Sequence, residues 1–306
     1  MNSKNKILIV GGTGFIGYHL AKKSLKMGWQ VTSISKKPPK KIRSVTKVKY
    51  LYCDLKKKKF LKKIIKTNYD YVVNLGGYVD HSNTKRVIAS HYLGCKNLTD
   101  IFIKKKIKSF VQMGSSLEYG NLKSPQKEIY NYNFNLIKST YAKAKLLATL
   151  HLIKMFKEKN FPSTILRLYL AYGPKQDFNR LIPVVIKACK ENKKFNCSNG
   201  NQLRDFVYIN DVIDAIIKAL KNKNAIGQII NVGSGKPIKV KKIIMYIKKV
   251  LKGGQPLFGK IKLRKDESIK NYANVKKAKK LINWIPKISF KEGLDSTIKY
   301  YNEQKF

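Results

Sequence analysis

Three side chains have the types and the spacing of a proton relay. Ser115 follows an apolar run, and Tyr141 and Lys145 come later in the chain, four positions apart. Residues four apart share one face of a helix. A phenol is a poor base at neutral pH, but a neighbouring ammonium favours the charged phenolate. With a serine hydroxyl holding the substrate oxygen, these residues predict proton transfer at an alcohol or ketone while hydride moves to or from a nicotinamide.

The tyrosine–lysine spacing alone decides little in this chain, because lysine is so common. The same spacing recurs in Tyr18 with Lys22 and in Tyr119 with Lys123, which we interpret as chance. The order of the motifs carries the prediction instead. A glycine turn comes first, a serine follows a later strand, and the tyrosine–lysine helix comes after it.

The glycine turn follows the apolar run of residues 7–10 and has glycines at Gly11, Gly14 and Gly17. Such a turn lets backbone N–H groups approach a pyrophosphate at the positive end of the next helix. A Walker loop would need lysine and then serine or threonine directly after Gly17, and this chain has neither there. We predict a dinucleotide site; a plain strand-to-helix turn is the alternative.

Two later positions bear on which dinucleotide would bind. A carboxylate at the end of the second strand would bind the adenosine ribose and select NAD, but Ser35, Lys36 and Lys37 stand there. Cations at this point favour the 2′-phosphate of NADP, although a solvated turn explains them as well. Asp54, after the third strand, either contacts the adenine or caps the next helix.

Apolar runs that alternate with amphipathic stretches must position these residues. The strand candidates are residues 7–10, 30–34, 48–53, 71–75, 109–113, 164–170 and 228–232. Strands alternating with helices imply crossovers and a mostly parallel sheet covered on both faces. We therefore predict a doubly wound α/β (Rossmann) fold with a smaller α/β carboxy-terminal lobe. Ligands of such folds bind at the carboxyl ends of the strands.

The length of 306 residues predicts about two domains. We assign residues 1–172 to a dinucleotide-binding domain, with a returning segment near 205–233. Residues 173–204 and 234–306 are predicted to form a substrate-binding lobe, because prolines and shorter elements mark this part of the chain.

Composition excludes several classes of function. A hydrophobic content of 43% excludes intrinsic disorder. The net charge of +48 comes almost entirely from dispersed lysines rather than from arginine forks, so we predict no specific nucleic-acid partner.

The four cysteines lie far apart without metal-ligand spacing, and no metal site is predicted. No apolar run approaches the roughly 18 residues of a membrane span, and we expect a cytoplasmic protein.

Together these motifs resemble the extended short-chain dehydrogenase/reductase family, in its branch of NAD(P)-dependent nucleotide-sugar epimerases and dehydratases. The resemblance covers nearly the whole chain. Its motifs are GGTGFIG from Gly11, SSLEYG from Ser115, YAKAK from Tyr141, LRLYLAYGP from Leu166, RDFVYINDV from Arg204 and NVGSG from Asn231.

The resemblance implies that Ser115, Tyr141 and Lys145 are the catalytic triad. The predicted cofactor-binding residues are Gly11, Gly14, Phe15, Ile16, Gly17, Ser35, Lys36, Asp54, Leu55, Leu75, Gly76 and Gly77. The predicted substrate-binding residues are Tyr78, Ser116, Arg204 and Arg264. The two arginines would bind the nucleotide diphosphate, since a guanidinium offers paired, charge-assisted hydrogen bonds to phosphate.

Four positions depart from the family pattern. Dehydratases of the family generally carry an Asp-Glu pair after the catalytic serine or threonine, where this chain has Ser116 and Leu117. Glu118 is one position further on and would point elsewhere, so 4,6-dehydration is disfavoured. Leu170 and His91 replace asparagines that the family often has, and we interpret His91 as a structural histidine.

The resemblance therefore predicts an NAD(P)-dependent nucleotide-sugar 4-epimerase acting in surface polysaccharide assembly. The alternatives are an NADPH-dependent nucleotide-4-keto-sugar reductase and a non-catalytic NAD(P)-sensing protein. Family frequency favours NAD, whereas the lysines after the second strand favour NADP. A homodimer formed by helices around residues 86–103 and 139–157 is expected from the family.

Overall fold

The computed structural model describes residues 4–78, 83–129, 133–263 and 267–304. Its strands are β1 Lys6–Val10, β2 Gln30–Ser35, β3 Val48–Tyr52, β4 Tyr71–Asn74, β5 Ser109–Ser115, β6 Ser163–Leu168, β7 Leu170–Tyr172, β8 Lys194–Asn196, β9 Leu203–Tyr208, β10 Ile229–Val232, β11 Pro237–Lys239, β12 Gln255–Leu257 and β13 Lys270–Asn271. Its α-helices are α1 Phe15–Lys26, α2 Lys58–Ile64, α3 Thr84–Ile88, α4 Gly94–Phe102, α5 Thr140–Lys159, α6 Leu181–Lys190, α7 Ile209–Lys221, α8 Val240–Leu251, α9 Lys276–Ile282 and α10 Phe290–Asn302. Short 3₁₀ turns span Lys41–Arg43, Ser116–Tyr119, Phe134–Leu136 and Lys223–Ala225, and a π-helical turn spans Ala89–Leu93.

Seven parallel strands form the main sheet, in the order β10-β6-β5-β4-β1-β2-β3. The direction of strand succession reverses at β1, which lies between β2 and β4, and a ligand crevice opens at such a switch point. This sheet confirms the predicted doubly wound fold, and all seven predicted strands contribute to it. The predicted strand over residues 164–170 was too long: β6 ends at Leu168, and Leu170 begins β7 in another sheet.

Two hydrophobic layers cover the faces of the main sheet. In β1, Ile7 and Ile9 point into one layer, and Leu8 and Val10 point into the other, because successive side chains of a strand alternate between faces. Helices α1 and α7 contribute to the first layer, and α2, α4 and α5 to the second. Burying each of these large apolar side chains stabilises the fold by about 1.5–3 kcal/mol.

A smaller sheet is centred on β9, which pairs with β7, β11 and β13. The segment after β9 returns to the main layers as α7 and β10, whereas β9 itself belongs to the smaller sheet. Because β7 begins directly after β6, the smaller sheet starts at the edge where β5 and β6 end. The fold thus places a second layer beside the carboxyl ends of the central strands.

Candidate active site

The glycine turn after β1 is packed too tightly for side chains. Gly11 has a φ of +80°, and a Cβ added to it would lie 3.0 Å from the backbone nitrogen of Gly76. A Cβ on Gly17 would lie 2.4 Å from the Gly11 carbonyl oxygen. We call residues 11–17 and 75–77 the cradle. Its glycines let helix α1 and the loop after β4 approach the first turn closely.

Helix α1 presents its amino terminus to the cradle. Gly14 is its N-cap, no side chain caps the helix, and its first turn contains no acidic residue. The amides and the positive end of the helix dipole therefore suit an anion. The cradle therefore offers the backbone donors that the pyrophosphate of a dinucleotide would need, and its residues Phe15 and Ile16 lie in the first helical turn.

Buried amide groups fix the loop after β4. The side chain of Asn74 donates to Gln112 Oε1 at 2.8 Å and accepts the backbone N–H of Gly76 at 3.1 Å. A Cβ on Gly76 would lie 2.8 Å from the side chain of Leu55. Gly76 and Leu55, both predicted cofactor residues, are therefore neighbours at the carboxyl edge of the sheet.

The lysine after β2 is paired with a carboxylate. Lys36 Nζ lies 3.4 Å from Asp54 Oδ2, and Lys56 lies 3.9 Å from the same oxygen. Burial alone raises the pKa of Asp54, but the Lys56 amide and the two lysines outweigh it and lower the pKa. Ser35 accepts the backbone N–H of Thr13 at 3.3 Å. The structure thus brings Ser35, Lys36 and Asp54 together, with the charge of Lys36 partly balanced.

The predicted catalytic residues come from β5 and α5. Ser115 ends β5, and Ser139 caps α5 by accepting the Ala142 amide at 3.1 Å. The residue Lys145 is 4% exposed. Its ammonium donates to the Met113 carbonyl at 2.7 Å and lies 5.9 Å from the Tyr141 ring centroid. This bond places the tyrosine–lysine face of α5 at the end of the strand that carries Ser115.

Glu118 does not belong to the catalytic surface. Its buried carboxylate forms an ion pair with Arg167 at 3.0 Å, accepts the Thr149 hydroxyl at 2.7 Å and accepts the Ser115 amide at 2.7 Å. The side chain thus points elsewhere, as expected. Sequence reasoning missed the role of Arg167; the signal was an arginine, scarce in this chain, inside an apolar strand.

A buried polar network extends from this ion pair toward the second layer. The Arg167 guanidinium lies 4.3 Å from the Tyr119 ring centroid, and Tyr119 donates to Asn231 Oδ1 at 2.7 Å. Asn231 in turn donates to the Gln126 carbonyl at 2.9 Å. Burial raises the pKa of Tyr119, so the phenol keeps its proton as a donor. We call Glu118, Arg167, Tyr119, Asn231 and Gln126 the charged network.

The predicted substrate residues are only partly assembled. Arg204, on β9, forms an ion pair with Glu267 and donates to the Leu203 carbonyl at 3.0 Å. Arg264 lies outside the described residues. The half-buried Tyr78 and the buried Ser116 follow β4 and β5 at the carboxyl edge, and Leu170 is exposed at the start of β7.

The four cysteines are buried and unbridged. Within the described ranges, no group of three or more His, Cys, Asp or Glu side chains is arranged to hold a metal ion. Among the same residues, none of the helices combines the length and hydropathy needed to cross a membrane.

Comparisons with known proteins agree with this architecture. Residues 7–233 match the model of the NAD dependent epimerase/dehydratase family. The chain is 25% identical to a CDP-abequose synthase of Salmonella muenchen, over 96% of this chain and 97% of that protein. It is 27% identical to a UDP-glucuronate 4-epimerase of Thermodesulfobacterium geofontis, over 97% and 96% of the two chains.

A solved structure has the same fold. The UDP-glucuronic acid 4-epimerase of Bacillus cereus, in complex with UDP-glucuronic acid and NAD, superposes with a TM-score of 0.86 at 24% identity. The match covers 97% of this chain and 99% of that one.

Proposed function

This chain belongs to the NAD dependent epimerase/dehydratase family, and we propose that it is a nucleotide-sugar 4-epimerase. The proposed reaction oxidises the sugar at C4 and reduces the ketone again from the other face. A full-length relative that is a UDP-glucuronate 4-epimerase supports this choice. We propose the corresponding substrate class, a nucleoside diphosphate carrying a hexose or hexuronic acid.

The observation that carries the proposal is the buried ammonium of Lys145. The Met113 carbonyl holds it at 2.7 Å, on the same helix face as Tyr141. A cation held 5.9 Å from the ring centroid is suited to offset the negative charge that develops on the phenol oxygen during proton transfer. Tyr141 can then take the proton of the sugar 4-hydroxyl and return it to the 4-keto oxygen.

Ser115 is suited to orient the sugar oxygen. Its Oγ accepts the Leu117 amide at 3.2 Å, so its own hydroxyl proton is left to donate to a substrate. Its backbone N–H is held by Glu118. These two bonds fix the hydroxyl in place, and a donor fixed before substrate binds costs little to orient in the transition state.

The cradle and its neighbours would hold the dinucleotide. Gly11, Gly14 and Gly17 would contact the pyrophosphate, Asp54 and Leu55 the adenine, and Leu75 to Gly77 the nicotinamide side. When bound, the nicotinamide supplies hydride transfer to and from the sugar carbon. We propose NAD, because Asp54 balances the charge of Lys36 and repels a second anion.

Epimerisation is favoured over dehydration because the positions after the catalytic serine carry neither a base for the C5 proton nor an acid for the departing C6 hydroxyl. Ser116 and Leu117 follow the catalytic serine. The nearby carboxylate, Glu118, is engaged with Arg167 in the charged network. An acid held in a buried ion pair cannot approach the sugar ring.

A reductase is the second candidate, favoured by one observation. The side chain of Lys36 is 70% exposed at the end of β2, where the 2′-phosphate of NADPH would lie. A reductase would exchange its dinucleotide in every turnover. Native mass spectrometry separates the two: retained NAD supports the epimerase, and an empty protein that prefers NADPH to NADH supports the reductase.

Substitution of Tyr141 tests the proposed relay. Native protein is tested for 4-epimer formation on a panel of UDP-glucose, UDP-glucuronic acid and their N-acetyl counterparts. Tyr141→Phe should lower kcat by about a thousandfold or more while dinucleotide still binds. A variant that keeps full turnover would remove Tyr141 from the mechanism, and a native protein inactive on every sugar of the panel would contradict the 4-epimerase proposal for these substrates.

The proposed function also includes a substrate-binding layer and a dimer interface. We propose that the layer around β9 holds the nucleotide sugar and that the chain forms a homodimer through α3, α4 and α5. Leu93, in the π-helical turn between α3 and α4, is 43% exposed, as a side chain at such an interface would be in the isolated chain. Sedimentation of Leu93→Lys beside the native protein tests the dimer.

A further inference from the structure

His91 lies between two parts of the proposed site. It belongs to the π-helical turn Ala89–Leu93 and is 4% exposed. Its ring packs edge-on against the ring of Tyr141, with 5.1 Å between the centroids and 88° between the planes. Such perpendicular contacts are favourable beyond their buried area and restrict the orientation of both rings.

The same histidine holds the loop after β4. His91 Nε2 lies 3.1 Å from the Tyr78 carbonyl oxygen, and since a carbonyl only accepts, Nε2 carries the proton. The neighbouring Ser90 accepts the Tyr78 amide at 2.9 Å. Both backbone polar groups of Tyr78 are therefore bound by consecutive residues of the π-helical turn.

Gly77 shows how closely the histidine approaches this loop. A Cβ on Gly77 would lie 1.8 Å from His91 Cε1 and 2.2 Å from Nδ1. Gly77 has no left-handed backbone conformation, unlike Gly11. The requirement for glycine at position 77 therefore comes from the imidazole ring and not from the backbone.

We propose that His91 is a positioning residue that aligns the Tyr141 ring with the Gly76–Tyr78 loop. The inference rests on the proposed function, in which the loop borders the dinucleotide and Tyr141 moves the proton. Its two contacts have separate effects. The edge-on ring contact sets the orientation of Tyr141, and the Nε2–H bond sets the position of the loop. A misplacement of about 1 Å at a reacting group can cost a hundredfold in rate.

Two substitutions separate the contacts. His91→Gln keeps a donor near the Nε2 position and removes the ring, and His91→Phe keeps the ring and removes the donor. We expect His91→Gln to lower kcat by about tenfold or more, with dinucleotide Kd changed less than about threefold. We expect His91→Phe to raise dinucleotide Kd by about tenfold, with kcat at saturating dinucleotide within about threefold.

His151 supplies the matched control. It lies on α5 and its ring packs edge-on against Tyr92 at 6.4 Å, away from the Tyr78 loop. His151→Gln and His151→Phe should leave both quantities within about twofold of the native values. Equal losses of kcat and affinity in the two His91 variants, or no loss in either, would overturn the proposal, because a merely structural histidine gives no such division.

A double-substitution experiment decides the loop contact without any sugar. Gly77→Ala should weaken dinucleotide binding by about tenfold or more, measured from the quenching of tryptophan fluorescence. In a His91→Ala background, Gly77→Ala should cause little further loss of affinity, because the clash is with the imidazole. Strictly additive effects of the two substitutions would refute the contact. Since this readout needs no turnover, a failure of the 4-epimerase proposal is distinguished from a failure of the positioning role.

Discussion

The cradle and the charged network lie at the same edge of the sheet but are built by opposite means. The cradle is close-packed because side chains are missing: a Cβ on Gly17 would overlap the Gly11 carbonyl oxygen. The charged network is held together by an ion pair, in which Arg167 and Glu118 are both fully buried. An added methyl group should therefore lower the dinucleotide affinity of the cradle. Removal of a charge from the charged network should lower the free energy of unfolding.

The largest effect is expected in the charged network. Glu118→Gln removes the carboxylate that pairs with the buried Arg167, so the free energy of unfolding should fall by about 3–5 kcal/mol in urea titrations. Glu158→Gln is the control, because its ion pair with Lys154 is exposed and should contribute under about 0.5 kcal/mol. Similar losses in both variants would mean that burial does not distinguish the two pairs.

The next effect tests the cradle. Gly17→Ala adds one methyl group against the Gly11 and Gly12 backbone, and dinucleotide affinity should fall by about a hundredfold in a fluorescence titration. Gly28→Ala is matched to it, since Gly28 has a φ of +76° but nothing within 4 Å of an added Cβ. That control should lose stability through strain and keep its affinity. An intact affinity in Gly17→Ala would contradict the role of close packing.

A pH effect should arise where α1 meets the segment after β7. Burial lowers the pKa of His19 to about 4, although the Pro174 carbonyl, which accepts its Nε2–H at 3.0 Å, raises it in part. Because the folded state resists protonation, stability is complete above the unfolded pKa of 6.5 and is lost as the pH falls. Between pH 7 and 5 the loss should reach about 2 kcal/mol.

His19→Gln identifies the group responsible for this loss. The variant keeps an amide donor near the Pro174 carbonyl and removes the titration. Urea midpoints measured at pH 7 and pH 5 should then differ less than they do for the native protein. An unchanged pH dependence would assign the acid sensitivity to another residue.

The smallest effect is expected at Arg204, which lies on β9. If Arg204 binds the diphosphate, Arg204→Met should raise KM for the nucleotide sugar by about tenfold and leave kcat nearly unchanged, as expected for a contact made equally in ground and transition states. Arg180, an exposed residue at the N-cap position of α6 whose side chain makes no capping bond, gives the control variant Arg180→Met. A fall in kcat at constant KM would place Arg204 with the relay instead.

Local spacing explains which parts could be predicted. Residues close together in the sequence determine the glycine turn, the seven strands and the tyrosine–lysine pair, so periodicity and order are informative there. The break between β6 and β7 was missed because residues 164–170 form one apolar run and only pairing with β9 separates Leu170 from Leu168.

The contacts of the charged side chains were beyond sequence reasoning. Glu118 and Arg167 are 49 positions apart, and Arg204 and Glu267 are 63 apart. Among so many lysines, nothing in the sequence indicates which cation meets which carboxylate. Those partners follow from the packing of β5, β6 and β9, which is set by the whole fold.

The measurement that tests the central claim most directly follows the hydrogen at C4. Native protein is incubated with UDP-glucose or UDP-glucuronic acid carrying deuterium at C4, in the presence of excess unlabelled NADH, and the 4-epimer is analysed by mass spectrometry and NMR. The account predicts an epimer that keeps its deuterium at C4 in the native protein, and epimer formation about a thousandfold slower or more in Tyr141→Phe. Deuterium lost to the free dinucleotide, or epimer formed at the native rate without Tyr141, would contradict it.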